Sequence, residues 1–247
     1  MPITPRFLRP ASLLMAGIAC LSFSIPASAQ LRITEVMSSS GIGGTADWFE
    51  VTNYSPSPVT LTGSRMDDNS FSFPSSVELF GISSIASGDS AVFLEAGTLD
   101  PATEITAFRS FWGGAASGAA IGYYSGSGIS FSSNGDGVVV FDSLGGALTP
   151  QTSFGAATAG SSFYWSYGPT GDFVSGFGSQ SAGVVSLVGT VPGSSFDQVT
   201  FLSTTSLPQN IGSPGEAAVS VPEPSMLGLT ACIGLGSVAA RRRLRRV

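Results

Sequence analysis

The sequence lacks histidine and lysine altogether, and its two cysteines, Cys20 and Cys232, lie in apolar stretches near the two ends. Between those stretches there is no thiol for a disulfide and no imidazole for a transition metal or a catalytic triad. These absences exclude disulfide-stapled, zinc-binding and Ser-His-Asp proteins as classes for the middle of the chain. Carboxylates remain as its candidate acid–base groups.

Positive charge is scarce as well. Residues 30–221 hold three arginines, Arg32, Arg65 and Arg109, against fifteen carboxylates. Binding to nucleic acid through phosphates needs the opposite balance, so we expect no nucleic-acid partner. The chain is rich in glycine (32) and phenylalanine (17), and only 11% of its residues are charged. This composition is typical of turn-rich β-structure rather than disorder.

The first 29 residues have the layout of a secretory signal peptide. Basic residues precede an apolar stretch over residues 11–25, and Ala27 and Ala29 supply the small residues of an A-x-A cleavage site. We therefore expect signal peptidase to cut after Ala29 and to leave Gln30 as the first mature residue.

Residues 217–247 contain three features in a fixed order. The motif VPEPS comes first, an uncharged run over 226–240 follows, and a basic tail over 241–247 ends the chain. The two prolines disfavour helix, so the motif should be an exposed, extended peptide. At 1.5 Å per residue the apolar run reaches about 22 Å, which is short for a hydrocarbon layer of roughly 30 Å. The arginines should stay cytoplasmic.

This order resembles the PEP-CTERM sorting signal of exported bacterial proteins. The resemblance implies that an exosortase cleaves at the motif, while a single short transmembrane helix and the basic end hold the chain transiently in the inner membrane. A permanent anchor or a nucleic-acid-binding tail is the alternative. The resemblance assigns the sorting motif to Val221, Pro222, Glu223, Pro224 and Ser225, and the membrane stop to Arg241, Arg242, Arg243, Arg245 and Arg246.

Residues 30–216 are expected to form one all-β domain, because one domain of this length is common and no convincing helix is apparent. Short alternating apolar runs between Gly, Pro and Asn turns predict the strands. We expect strands within 31–37, 47–53, 59–63, 85–94 and 133–142, a turn over 66–69, and extra strand-like pieces at 183–188 and 198–202.

These landmarks resemble the lamin-tail domain of bacterial secreted proteins. The resemblance implies an immunoglobulin-like β-sandwich over about residues 31–215, flanked by the signal peptide and the membrane helix. Trp48 lies mid-strand in the segment that matches best, so we expect it to be a core residue or to cover one. The matching motifs are I-x-E-V at 33–36, D-W-F-E-V-x-N at 47–53, V-x-L-T-G at 59–63, the Asp pair at 67–68 and S-P-G at 213–215.

Two glutamates are candidates for an acid–base pair. Two carboxylates suffice for glycoside hydrolysis, and Glu35 and Glu50 could supply them. Glu35 shares strand parity with Ile33 and should point partly inward, where Arg32, Arg65 or backbone N–H groups would be its donors. Both glutamates also lie on fold landmarks of the resembled family. A structural role is therefore favoured, and no catalytic residue is assigned.

Two further groups have alternative interpretations. The oxygen-rich loops at 67–69 and 134–136 could hold Ca²⁺, but neither matches the D-x-[DN]-x-[DN]-G loop, and Asn-Gly turn chemistry explains the second. The aromatic group at 163–168, with Phe111 and Trp112, could form a carbohydrate-stacking face. Its alternation is equally typical of a core strand, which we favour.

We therefore expect an exported, exosortase-processed surface or extracellular-matrix protein with a structural or adhesive role, and not an enzyme. It passes through an inner-membrane intermediate to the cell surface or medium. Exosortase, signal peptidase and exopolysaccharide or other matrix components are the expected partners, and no cofactor or metal is expected. A carbohydrate- or calcium-binding extracellular module is the alternative, and a carboxylate-dependent glycoside hydrolase is the third hypothesis.

Overall fold

The described part of the chain begins at the first predicted strand. The predicted signal-peptidase site at Ala27, Ala29 and Gln30 and the whole predicted sorting region 217–247 lie outside it. Among the helices within it, none combines the length and apolarity needed to cross a bilayer. The computed structural model describes residues 31–40, 45–97, 100–113, 116, 118–126, 128–173, 183–185, 201–202 and 210–215.

The described residues are mostly β, with one α-helix, α1 (Pro101–Trp112), and a short 3₁₀ turn at Phe73–Ser75. The strands are β1 (Leu31–Met37), β2 (Trp48–Asn53), β3 (Val59–Thr60), β4 (Arg65–Asp67), β5 (Val77–Phe80), β6 (Ser84–Ile85), β7 (Ser90–Ala96), β8 (Ala120–Ser125), β9 (Asp136–Phe141), β10 (Thr152–Phe154), β11 (Phe163–Tyr164), β12 (Val184–Val185), β13 (Phe201–Leu202) and β14 (Ile211–Gly212).

Ten of these strands form one sheet in the order β10-β9-β4-β5-β8-β7-β2-β1-β11-β12. The pairs β3–β6 and β13–β14 form two separate two-stranded sheets. The sheet curls over itself, because the rings of Phe154 in β10 and Phe163 in β11 have centroids 5.3 Å apart although their strands lie near opposite ends of the order. A single apolar cluster fills the space between the two halves. It includes Ile33, Val36, Phe49, Val51, Phe93, Val138 and Val140.

The predicted strands at 31–37, 47–53, 85–94 and 133–142 contain β1, β2, most of β7 and β9. Of the predicted pieces at 183–188 and 198–202, the structure describes β12 and β13, and most of the other residues lie outside the described ranges. The predicted strand at 59–63 is shorter, since β3 covers only Val59–Thr60. The predicted turn at 66–69 is wrong in its first half, because Met66 and Asp67 belong to β4 and pair with Val140 and Val139 of β9. Met66 is fully buried, so the gain from packing it outweighs the turn preference of the residues that follow.

The expectation of no helix is also wrong. Strands β7 and β8 run parallel, from the Ala91–Ala120 pair to the Ala96–Ser125 pair. Parallel neighbours need a crossover connection, which is usually a helix, and α1 is that connection. The start of α1 has residues that usually begin a helix. The Asp100 side chain accepts from the Thr103 N–H at its start, and Pro101 occupies its first turn.

Helix α1 covers the outer face of the sheet, which points away from the folded-over core. Its buried residues Phe108 and Trp112 pack edge-on against Trp48, with ring centroids 5.8 and 5.9 Å apart. Trp48 is fully buried, as expected for a core residue. A second apolar cluster therefore lies between helix and sheet. It comprises Met37, Trp48, Val92, Leu94, Phe108, Phe111, Trp112, Ala116 and Ile121.

Trp48→Ala should lower the free energy of unfolding by about 3–5 kcal/mol, because it empties the centre of this second cluster. Chemical denaturation measures the loss. Trp48→Phe keeps an aromatic ring and should cost clearly less. Equal costs for the two variants would show that the indole does not fill the space as described.

Candidate functional site

Two buried glutamates face each other across the β1–β2 pair. Glu35 and Glu50 are Cα partners in the register, and 0% and 1% of their surfaces are exposed. Like charges directly opposite in a sheet are destabilising, and a buried carboxylate needs hydrogen-bond donors. The groups that donate hydrogen bonds to the two glutamates therefore determine which chemistry the site permits.

A register shift places Glu35 on the outer face, contrary to the strand parity expected from the sequence. Ile33 pairs with Val51, but Glu35 pairs with Glu50, so one extra residue, Thr34, is accommodated between them. Side chains alternate along β2, and Glu50 therefore points opposite to Val51. The irregularity turns Glu35 to the face of Glu50 while keeping it buried.

The donors to Glu35 are neutral groups from the later part of the chain. The Ser162 hydroxyl donates to Oε1. The Ser213 N–H lies 2.8 Å from Oε1 and 3.1 Å from Oε2, and the Ser213 hydroxyl lies 2.8 Å from Oε2. Arg32 and Arg65, which the sequence suggested as donors, donate to other oxygen atoms. The expected contribution from backbone N–H groups is present.

Glu50 is held from two sides. The Thr34 hydroxyl donates to Oε1 at 2.6 Å, and the Gly215 N–H donates to Oε2 at 2.6 Å. Hydroxyl contacts then continue from Thr34 to Thr52 at 2.9 Å and from Thr52 to Ser90 at 2.8 Å. This chain of hydroxyls leads from the buried carboxylate to Ser90, the first residue of β7.

A polar cleft of about 360 Å³ lies at the end of that hydroxyl chain. Ser90 belongs both to this chain of hydroxyls and to the wall of the cleft. The cleft is lined by Gly88, Asp89, Ser90, Gly118, Ala119, Ala120 and Gly215.

Residues 210–215, which we call the closing segment, cover both carboxylates. Its backbone pairs with the chain before β11, since the Ile211 N–H donates to Gly160 and the Ile211 carbonyl accepts from Ser162. A Cβ atom added to Gly212 would lie 2.8 Å from Glu35 Oε1 and 3.1 Å from the Trp112 ring. Only glycine fits between the glutamate and helix α1 without displacing either.

Burial has the largest effect on the pKa values of Glu35 and Asp47. It raises the pKa of Glu35 to about 7, although the hydrogen bonds from Ser162 and Ser213 act in the opposite direction. A hydroxyl can accept as well as donate, so either serine can receive a hydrogen bond from a protonated Glu35. Burial, assisted by the charge of Glu95, likewise raises the pKa of Asp47 to about 7.

This geometry suits a structural role, in which the two glutamates fix the closing segment to the sheet, better than acid–base catalysis. Glycosidase carboxylates flank a sugar ring and leave space of about 5 Å or more between them for the reacting atoms. Here the closing segment occupies the place in front of both carboxylates and donates to each of them. The pair joins the two ends of the domain.

The two oxygen-rich loops meet, and both oxygens of Asp136 and Oδ2 of Asp67 accept hydrogen bonds from the protein, whereas Oδ1 of Asp67 is buried without a partner among the described residues. The Asn69 N–H donates to Asp136 Oδ1 at 3.1 Å, and the N–H groups of Gly137 and Ser132 donate to the two oxygens of the same carboxylate at 2.8 and 2.6 Å. In the described ranges no group of three or more His, Cys, Asp or Glu side chains could hold a metal ion. The hydrogen bond from Asn69 to Asp136 joins the two loops directly.

The aromatic residues considered for carbohydrate stacking are buried, as the core interpretation predicts. Phe163, Trp165 and Tyr167 belong to the cluster between the sheet halves. Phe111 and Trp112 belong to the cluster beneath α1. The structure therefore places these two aromatic groups on opposite faces of the sheet.

The sequence did not reveal which groups donate hydrogen bonds to Glu35. Ser162 and Ser213 lie 127 and 178 residues from Glu35, and no local pattern connects them. The one available signal is the Ser-Pro-Gly motif at 213–215. It marks the end of the domain, although its partners cannot be read from it.

Stability should fall as pH rises through the range of Glu35. Its folded-state pKa near 7 lies above the ordinary value of 4.5, so between these values the folded protein holds a proton that the unfolded chain has lost. The free energy of unfolding then decreases by up to about 3 kcal/mol from pH 4.5 to 7. Denaturant unfolding at several pH values should give a shallower slope for Glu35→Gln, with a remainder from Asp47. An unchanged slope, as for the exposed control Glu78→Gln, would contradict this assignment.

Gly212→Ala should destabilise the protein by about 1–3 kcal/mol, because the new methyl group overlaps Glu35 and crowds Trp112. Gly155→Ala is the matched control, since an added Cβ there meets nothing within 4 Å. Thermal unfolding of the two variants provides the comparison. Similar midpoints would mean that the closing segment does not pack tightly against the glutamate.

Comparison with known proteins agrees with this architecture. The family profile of the Lamin Tail Domain matches residues 24–155, more than half of the 247-residue chain. No curated protein and no solved structure matches the chain significantly. The matched range contains Glu35, Glu50 and α1, whereas the closing segment follows it. With its immunoglobulin-like, mostly-β structure and this match, the chain belongs to the lamin tail domain family.

Proposed function

We propose that this is an exported protein that an exosortase processes at its C-terminus, and that its lamin tail domain acts as a structural or adhesive component of the cell surface or extracellular matrix. The observation that carries the proposal is the order of three features in residues 221–247: the VPEPS motif, the apolar run and the arginine cluster. Each feature has its own physical role at a membrane.

The closing segment supports the proposal. It is fixed to the domain by Glu35 and Glu50, and Gly215 is its last described residue. Five residues separate Gly215 from Val221 in the sequence. The segment that is fixed to the domain therefore lies a short distance in sequence before the proposed cleavage motif. A protease could act there without unfolding the domain.

A non-catalytic role follows from how the carboxylates are used. Both candidate acid–base glutamates accept hydrogen bonds from the chain's own closing segment. Asp136, the centre of the other acidic region, is occupied by backbone N–H groups. What remains for function is the surface of the domain and the place to which it is delivered. The glycoside hydrolase hypothesis is accordingly disfavoured.

Mass spectrometry of the protein from its native host should find an N-terminus at Gln30 and a C-terminus before Met226. The physical reason is that small residues at 27 and 29 suit signal peptidase, and that the two prolines of the VPEPS motif disfavour helix and so favour a peptide that a protease can bind. A mature form that keeps Arg241 to Arg246 would contradict exosortase processing.

A strain that expresses the chain truncated after Val221 should release the protein into the periplasm or medium and show altered surface attachment. A matched strain with Arg241, Arg242 and Arg243 changed to glutamine should accumulate wrongly oriented or unprocessed protein, because the membrane stop is weakened. Polysaccharide hydrolysis by the purified protein, abolished by Glu35→Gln or Glu50→Gln in a folded variant, would replace the structural proposal with the hydrolase hypothesis.

A further inference from the structure

A row of side chains crosses five strands on the outer face of the sheet. The pairings Met37–Trp48, Trp48–Leu94, Leu94–Tyr123 and Tyr123–Phe80 are direct, so these five residues form one line from β1 to β5. Directly paired residues project to the same side of a sheet. The row therefore presents a continuous apolar surface.

Helix α1 covers only part of this row. Met37, Trp48 and Leu94 are buried beneath it. At the other end Tyr123 is half-buried, and Phe80 has 38% of its surface exposed. Within the described ranges, Phe80 and Leu144 are the large hydrophobic side chains that remain exposed. Of these two, only Phe80 extends an apolar surface that is otherwise covered.

The exposed ring is held in a fixed orientation. Phe80 and Tyr123 stack with centroids 5.3 Å apart and an angle of 24° between their planes. One face of Phe80 is therefore occupied by Tyr123. Phe80 also lines a shallow groove of about 310 Å³. A ring fixed in this way can receive a flat apolar partner at little cost in side-chain entropy.

Polar residues line the same groove as Phe80. Thr62, Glu78 and Ser83 line the same groove and are exposed. Glu78 lies two positions before Phe80 on β5, so the two side chains project from the same face of the strand. An aromatic face beside hydroxyl and carboxylate groups matches the two-sided chemistry of a sugar ring. The C–H groups of a sugar favour the negative face of an aromatic ring, and its hydroxyls need acceptors and donors.

The charges favour a neutral partner. The domain has few cations, and the guanidinium groups of Arg32, Arg65 and Arg109 each donate to oxygen atoms of the protein itself. Arg65, across from Glu78 in the register, donates to Ser76 and lies over the Phe73 ring. An anionic polymer would meet Glu78 and an acidic domain and would be repelled.

We propose that Phe80, backed by Tyr123 and flanked by Glu78, is a binding site for a neutral polysaccharide. A pyranose ring packs its C–H face against Phe80, and Thr62, Glu78 and Ser83 bind its hydroxyls. The site gives the proposed adhesive role a chemical partner and depends on that role only for where the glycan is met. Binding is measured without export, so a failure here leaves the processing proposal intact.

Affinity electrophoresis of the full-length chain tests the site. The chain is kept in a polyoxyethylene detergent, which carries no sugar headgroup that would compete. Native gels contain hydroxyethyl cellulose, dextran or alginate, and retardation gives the dissociation constant. We expect retardation in at least one of the two neutral polymers and none in alginate. No retardation in any gel, or equal retardation in alginate, would overturn the proposal.

Two matched variants separate stacking from general apolar contact. Phe80→Leu keeps an exposed apolar side chain but removes the ring, and should weaken binding at least about fivefold. Phe80→Trp keeps an aromatic face and should retain binding. Unchanged thermal midpoints show that both variants fold. Equal binding by Phe80→Leu would overturn stacking. A dimer of the wild-type chain in sedimentation that Phe80→Glu abolishes would show instead that a second copy covers this face.

Discussion

The burial of two carboxylates opposite each other in one strand pair is the constraint on which the structure depends. A sheet cannot satisfy such a pair alone, because its backbone N–H groups are used in the ladder. The protein satisfies it with a register irregularity that brings Glu35 beside Glu50 and with a segment that supplies N–H and hydroxyl donors. The domain thus extends to Gly215, sixty residues beyond the range that the family profile covers.

Two elements, helix α1 and the closing segment, cover different parts of the outer face of the sheet. Helix α1 lies over the apolar part around Trp48, and the closing segment lies over the polar part around Glu35. Helix α1 and the closing segment meet at Gly212, which lies between Glu35 and Trp112. Because the parallel β7–β8 pair needs a crossover connection, the topology of the sheet also determines how much of the outer face the helix covers.

Local patterns predicted most strands and the burial of Trp48, because alternation and turn residues report directly on which face of a strand is covered. They failed where a long-range requirement overrides local preference. The helix at Pro101–Trp112 starts with an Asp-Pro signature, yet its glycine- and alanine-rich surroundings hid it, and only the parallel pairing explains it. The position of Glu35 depends on one inserted residue, which reverses parity. Its partner Ser213 cannot be identified from any local window.

The distance along the chain between Glu35 and Ser213 has a consequence for the order of folding. Polypeptides emerge N-terminus first, so β1 is available long before the residues that it needs, 178 positions later. Contacts this remote carry a large loop-closure cost and form late. Until then the two glutamates are better solvated as ions than buried together. A chain halted before residue 210 would leave them facing water, and only a chain synthesised past Gly215 can enclose them.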